Sequence, residues 1–277
     1  MSRRTPATHA ARPKKRFGQH FLSDPAILDR IVEAAEVEAG ETVLEIGPGL
    51  GALTATLAEQ GARVVAVEVD RDLVPVLRER FAETRAVSII EADAADHAPA
   101  DLLRVAGASP PYAIVANLPY NVAALILRRS LESPEPPSRM VVMVQLEVAQ
   151  SIVSAPPHMT LLGVATQVYA EAGIIMRVGR GAFRPPPQVE SAVVRIDPAP
   201  RPRVDVPLDV FFRVVRAGFG NPRKMLRNSL SFGLHVKQER IDAALAAAGI
   251  DPALRAQALS LSDWEAITRA WIARPDQ

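Results

Sequence analysis

Apolar positions along the chain follow two rhythms. Thr42 to Ile46, Arg63 to Asp70, Ala86 to Asp93, Tyr112 to Asn117 and Arg139 to Gln145 are short runs rich in β-branched and aliphatic residues. Such runs suit strands buried on both faces of a parallel sheet. Between them the spacing turns helical. Ile27, Leu28, Ile31 and Val32 form one stripe behind a capping Ser23 or Asp24 and a first-turn Pro25, and Gly40 is expected to close that helix. Ala52 to Gln60 and Arg71 to about Glu83 suit two more helices. Strands alternating with helices at this spacing predict an α/β fold, a doubly wound sheet with right-handed crossovers. Ligands of such sheets lie beyond the strand carboxyl ends.

The rhythm changes after the proline-rich stretch Asp197-Pro198-Ala199-Pro200-Arg201-Pro202. Phe211, Phe212, Val215 and Phe219 have helical spacing, and Pro222 is expected to start a helix carrying Met225, Leu226 and Leu230. Ile241, Leu245 and Ala248 continue the pattern, and Trp264, Ile267 and Trp271 mark a last helix. A small C-terminal all-helical domain is therefore expected over 201–277, behind a sheet domain over 14–200. Residues 1–13 are polar and basic with little to bury, and are expected to be a disordered tail. No internal repeat is visible.

Composition excludes several classes. The 277 residues are 48% hydrophobic and 23% charged, as in ordinary soluble globular proteins. No apolar run reaches the roughly 18 to 20 residues that span a bilayer, and the amino terminus lacks the apolar core of a signal peptide. A cytoplasmic protein without a membrane partner is expected. Cysteine is absent, which removes disulfides, thiolate metal sites and cysteine nucleophiles. His9, His20, His97, His158 and His235 are scattered, so no metal site is expected. The net charge is +1, but its distribution is uneven. Arg213, Arg216, Arg223, Lys224, Arg227 and Lys237 fall between Val210 and Gln238, a stretch without an acid. That run suits a polyanion, or simply a solvated face. Acids gather instead at strand ends: Glu45, Glu68, Asp70, Glu91 and Asp93.

One connection carries candidate chemistry. Val43-Leu44-Glu45-Ile46-Gly47-Pro48-Gly49-Leu50-Gly51 runs from a strand through alternate glycines into a helix. A loop without Cβ atoms, opening a helix amino terminus, leaves room and N–H donors for a ligand, although a plain βα turn uses the same residues. The spacing is not the dinucleotide G-x-G-x-x-G, and no phosphate-facing lysine follows. It resembles the loop that binds S-adenosyl-L-methionine (SAM) in Rossmann-like methyltransferases. Gly47, Glu68, Asp93 and Asn117 would then converge from four strand ends. SAM offers ribose hydroxyls, an adenine amino group and two cationic centres, so Glu68 suits the ribose and Asp93 the amino group.

Asn117-Leu118-Pro119-Tyr120 ends the fourth strand run and reads either as a turn or as a catalytic site. An exocyclic amine is a poor nucleophile because its lone pair is delocalised into the ring. Two acceptors aimed at its hydrogens, the Asn117 side chain and the Leu118 carbonyl, would favour pyramidal geometry and the charge that develops on attack. Pro119 stiffens the turn, and Tyr120 offers a face for a flipped base. Phe183, in Gly181-Ala182-Phe183-Arg184-Pro185-Pro186-Pro187-Gln188-Val189, reads as core or as the second face of a base sandwich.

Together KKRFGQHFL, VLEIGPGLGALT, ANLPYN, FRPPPQVESAVVRI and RKMLRNSL resemble the ribosomal RNA adenine N6-dimethyltransferase family, from about Lys14 to near the carboxyl terminus. The resemblance implies SAM contacts at His20, Leu22, Gly47, Glu68, Asp93 and Asn117, an adenine motif at Asn117 to Tyr120, and a base-facing Phe183. It also implies dimethylation of two adjacent adenines near the 3′ end of 16S rRNA, within the immature small ribosomal subunit. Arg223, Lys224 and Arg227 are candidate RNA contacts, and a monomer is expected. Leu146 and Ser151 stand where the family usually has Lys and Arg, and His158 to Gly163 lacks a usual Tyr-Gly pair. Two rivals are a large-subunit rRNA adenine methyltransferase and a SAM-binding assembly factor without catalysis. The Pro-Pro-Pro segment and the helical tail oppose the first, and the intact Asn117 to Tyr120 motif opposes the second.

Overall fold

A computed structural model of the chain describes residues 19–273. The expected tail over 1–13, and Lys14 to Gly18 of the KKRFGQHFL motif, lie outside the described residues. The first elements are β1 (Phe21–Leu22), α1 (Pro25–Ala35), β2 (Thr42–Ile46), α2 (Ala52–Glu59), β3 (Arg63–Glu68), α3 (Leu73–Arg80) and β4 (Val87–Glu91). There follow α4 (Pro99–Val105), β5 (Ala113–Asn117), α5 (Ala123–Leu131), β6 (Arg139–Gln145), α6 (Leu146–Ile152) and α7 (Leu161–Gln167). Then come β7 (Ala170–Val178), β8 (Phe183–Arg184), β9 (Ser191–Pro198), α8 (Leu208–Phe219), α9 (Leu226–Leu234), α10 (Gln238–Ala248) and α11 (Leu261–Ile272).

Seven strands make one sheet in the order β4-β3-β2-β5-β6-β9-β7, and β1 pairs with β8 in a small second sheet. The five strands expected from the apolar runs are β2 to β6, all parallel to one another. The order reverses between β2 and β5, which opens the crevice where ligands of such sheets sit. β9 runs antiparallel to β6, so the sheet is mixed. Its centre is apolar on both faces: Val43, Leu44, Val64, Val65, Ile114 and Val115 are fully buried.

Helix boundaries differ from the sequence expectation at three places, α1, α9 and α3, the last of which spans Leu73–Arg80 and not Arg71 to about Glu83. α1 starts as expected, with the Asp24 side chain accepting from Ala26 N and Pro25 in the first turn. It ends at Ala35 rather than near Gly40, because Glu36 turns left-handed at φ 48°. Arginines from the sheet take up the freed carbonyls: Arg139 donates to Ala35 O and Glu36 O, and Arg195 to Ala34 O. α9 begins at Leu226 and not at Pro222. A turn in which Lys224 N donates to Asn221 O precedes it, and Met225 is extended at ψ 148°.

The described residues form two compact units. One holds the residues up to Ala149 with Gly173–Asp197, and the other holds Gln150–Ala172 with the residues from Pro198 onward. The segment 150–172, which the sequence pattern leaves beside the sheet, thus packs with the helices. Met159, Val164 and Val168 are buried in one cluster with Phe211, Phe212 and Trp264. Met159 N donates to Gln257 O at 2.9 Å, and Arg203 N to Val168 O at 2.7 Å. The atypical stretch is well tied: Thr160 caps α7 by accepting from Gly163 N, and its hydroxyl donates to Ser151 O. α8 and α11 meet at Gly218, where a Cβ would stand 2.3 Å from the buried Trp264 ring. No helix among the described residues is long and apolar enough to cross a membrane.

Candidate functional site

The site grows from the carboxyl ends of β2, β3 and β5. Gly47, Gly49 and Gly51 all have positive φ, at +71°, +59° and +78°. Gly49 shows why no side chain serves there: a Cβ would lie 2.8 Å from the Phe21 ring. Its N–H instead donates to Glu68 Oε2 at 3.2 Å, while Asp70 N donates to Oε1 at 2.9 Å. Glu68 is thereby fixed at the end of β3 with 4% exposure. Burial, the largest influence, raises its pKa above the usual 4.5, and the two backbone donors work against that rise. Each oxygen of an ionised carboxylate can accept more than one hydrogen bond, so capacity remains toward the cavity.

Glu45 behaves differently. It is 1% exposed, accepts from Thr54 Oγ1 at 2.6 Å, and burial pushes its pKa up to about 8. At neutral pH it is a neutral acid that braces the base of the loop. Asp70 is also buried, and Gln19 Nε2 donates to its Oδ2 at 2.9 Å, which ties the segment before β1 to the end of β3.

A cavity of about 530 Å³ opens above these strand ends. Its walls bring together His20, Leu22, Gly47, Glu68, Asp93 and Asn117, and beside them Leu118, Pro119 and Tyr120. The Asp93 side chain accepts from Ala95 N at 2.8 Å, which orders the turn after β4. Glu68 and Asp93 give the cavity carboxylates beside the neutral Glu45, Arg80 and Arg184 reach its wall, and no lysine among the described residues lines it. The two carboxylate acceptors suit a ligand bearing hydroxyls, an amino group and positive charge, so the residues present fit SAM.

The turn after β5 is held at each position. Asn117 Nδ2 donates to His20 O at 3.3 Å, which leaves the side-chain oxygen to accept elsewhere. Leu118 N donates to Met143 O at 3.1 Å and so orients the following peptide. The Tyr120 hydroxyl bonds Ser191 Oγ at 2.6 Å, and the ring stacks on His20 with centroids 5.9 Å apart. Burial raises the Tyr120 pKa, against the Ser191 hydrogen bond, so the group stays a neutral phenol.

Phe183 is placed otherwise than expected for a residue facing the target base. It is 1% exposed, belongs to the core with Leu22, Val178 and Val193, and does not line the cavity. The reason is strand alternation. β8 pairs with β1, Leu22 opposite Phe183 and Phe21 opposite Arg184, so Phe183 turns inward and Arg184 reaches the cavity wall.

Sequence reasoning did not single out Arg184, Gln19, Ser191 or Arg80. Arg80 lines the cavity and donates to Leu50 O. Gln19 and Ser191 sit within motifs quoted above, but nothing in the local pattern says what they touch. The basic candidates lie in the second unit. Arg223 and Lys224 are exposed, whereas Arg227 is half-buried and pairs with Asp242 at 2.5 Å, so α9 is bridged to α10.

Strand order, glycine loop and acid-lined cavity define a Rossmann-like SAM-dependent methyltransferase. The model of the ribosomal RNA adenine dimethylase family matches residues 10–273, and the chain belongs to that family. A ribosomal RNA small subunit methyltransferase A from Dehalococcoides mccartyi is 40% identical over 96% of this chain and 91% of its own. The crystal structure of the 23S rRNA methyltransferase ErmE superposes with a TM-score of 0.71 at 27% identity, covering 91% of this chain and 99% of that one. A dimethyladenosine transferase from Plasmodium falciparum shares the fold, with a TM-score of 0.73 at 20% identity over 90% of this chain and 96% of its own.

Proposed function

We propose that the protein transfers methyl groups from SAM to the N6 amines of two adjacent adenines near the 3′ end of 16S rRNA, twice on each, during small-subunit maturation. It acts as a monomer in the cytoplasm. The observation that carries this reading is the Asn117 amide, held by His20 O so that its oxygen is left to accept, beside Tyr120 on the cavity wall. SAM supplies an electrophilic methyl group when bound. Glu68 would hold its ribose and Asp93 its adenine amino group, and His20, Leu22 and Gly47 line the same pocket. The Asn117 oxygen and the Leu118 carbonyl accept the two hydrogens of the target amine, favouring pyramidal nitrogen and its developing charge. Tyr120, fixed by Ser191, presents a face to the flipped base. No strong base is required, because the methylated ammonium loses its proton readily. Alignment and electrostatics provide the acceleration.

Between the two rRNA subunits, the relative from Dehalococcoides mccartyi favours the small one: its identity of 40% exceeds the 27% of the 23S enzyme. The test is single-turnover methylation of unmethylated small subunits at saturating SAM. Asn117→Ala should slow transfer roughly a hundredfold, the value of one lost electrostatic contact. Transfer at the wild-type rate would remove Asn117 from the chemistry.

A further inference from the structure

α9 buries Leu226, Ser229 and Leu230 and turns a different row to solvent. Met225, Asn228, Phe232 and His235 follow at steps of three and four, one face of a helix extended by a residue at each end. Phe232 is 71% exposed and Met225 44% exposed. Arg223, Lys224, Met225, Asn228, Ser231, Phe232 and Gln238 line one shallow depression. A bare phenylalanine inside a cationic patch costs solvation free energy and does nothing for the core.

We infer that this depression is a stacking site for one unpaired nucleotide of the RNA substrate, with Phe232 as the platform. The inference rests on the proposed rRNA substrate and adds a second point of RNA capture, in the helical unit. Three features point to a nucleotide. First, the Phe232 ring offers a flat apolar face, and the His235 ring lies 6.4 Å from it. Bases stack on such faces whatever their sequence. Second, Gln238 Nε2 donates to Asn228 Oδ1 at 2.7 Å. The pairing leaves the Asn228 NH₂ as donor and the Gln238 oxygen as acceptor, the two kinds of group that a base edge requires. Third, the charged groups of the lining are of one sign: Arg223 and Lys224 line the depression, and no carboxylate among the described residues does. Phosphates on either side of a stacked base would meet those two cations. Arg227 is not part of the site, because its guanidinium is engaged by Asp242.

The test uses the full-length protein with two probes, unmethylated small ribosomal subunits and a short single-stranded oligouridine. Phe232→Ala should weaken binding to both by roughly five- to hundredfold, the range for losing one stacked base. The salt dependence should not change, because no counterion is released. Phe232→Trp should bind at least as well as the wild type. Oligouridine carrying 5-iodouridine should photocrosslink to residue 232. Wild-type affinity of Phe232→Ala for both probes would overturn the inference. So would a loss of subunit binding with oligouridine binding intact and no crosslink, which would point to a ribosomal protein as the occupant. Failure of the wild type to methylate small subunits would reject the proposed substrate instead. The oligouridine arm needs no ribosome and decides Phe232 even then.

Discussion

Glu68 and Glu45 are two buried carboxyls near one loop, and their partners divide their roles. Glu68 has a backbone donor on each oxygen and stays available to a ligand, whereas Glu45 has one hydroxyl partner and is pushed up to about 8. Glu68→Ala should weaken SAM binding by roughly 2 to 4 kcal/mol, the worth of a pair of charge-assisted hydrogen bonds, with the fold retained. Calorimetry on the folded variant measures it, and unchanged affinity would take Glu68 out of the site. For Glu45 the folded pKa lies above the usual 4.5, so the folded protein keeps a proton that the unfolded chain releases. Its contribution to stability is complete below about 4.5, declines as pH rises, and is fully lost above about 8. Glu45→Gln keeps the shape without the titration, so its melting temperature should fall less steeply across that window. Glu68 shifts in the same direction and accounts for part of the slope that remains. Identical pH profiles for the two proteins would show that Glu45 does not titrate as described. The importance of both acids was legible in their position at strand ends. That Glu45 is neutral while Glu68 takes a backbone donor on each oxygen was not, because burial and partners decide it.

At the scale of elements, the glycine loop depends on β1. Gly49 has φ +59° and faces the Phe21 ring, so Gly49→Ala meets both backbone strain and a clash. A penalty of about 1 to 3 kcal/mol is expected for the backbone alone. The substitution should also move Phe21, so SAM affinity and melting temperature should fall together. Normal values of both in calorimetry and a thermal melt would mean that the loop relaxes freely. The strands of the parallel sheet were readable because residues buried on both faces leave unbroken apolar runs. β7 and β9 were not read as strands. Along β7 buried and exposed positions mix, with Ile174 and Ile175 exposed. Phe183 shows the cost of missing β8: its alternation with Arg184 decides which side chain reaches the cavity, and a two-residue strand leaves no period to detect.

At the scale of the whole molecule, the basic run between Val210 and Gln238 divides into parts with different duties. Arg223 and Lys224 face solvent, whereas Arg227 joins α9 to α10. Replacing Arg223 and Lys224 together with alanine should lower the slope of rRNA affinity against salt by about 1.4, near 0.7 for each phosphate contact on a single strand. SAM affinity should be untouched. Arg227→Ala should instead lower the melting temperature, by an amount corresponding to about 1 kcal/mol for a half-exposed pair. An unaltered salt slope in the double variant would make that face merely solvated. An unaltered melt in Arg227→Ala would make the α9–α10 bridge dispensable.

The sequence by itself determined the class of fold, the glycine loop and the candidate turn after β5. Each is local: a buried strand, alternate glycines and Asn-Leu-Pro-Tyr declare themselves within a few residues, because backbone sterics and burial period act at that range. Tertiary structure alone decided what each group touches. Tyr120 is held by Ser191, 71 positions away, and Asp70 by Gln19, 51 positions away. Segment 150–172 joins the helical unit because its apolar side chains pack with Phe211, Phe212 and Trp264 rather than with the sheet it follows in sequence. A side chain's partners are set by packing across the whole chain, and the local pattern that forms an element carries no record of them.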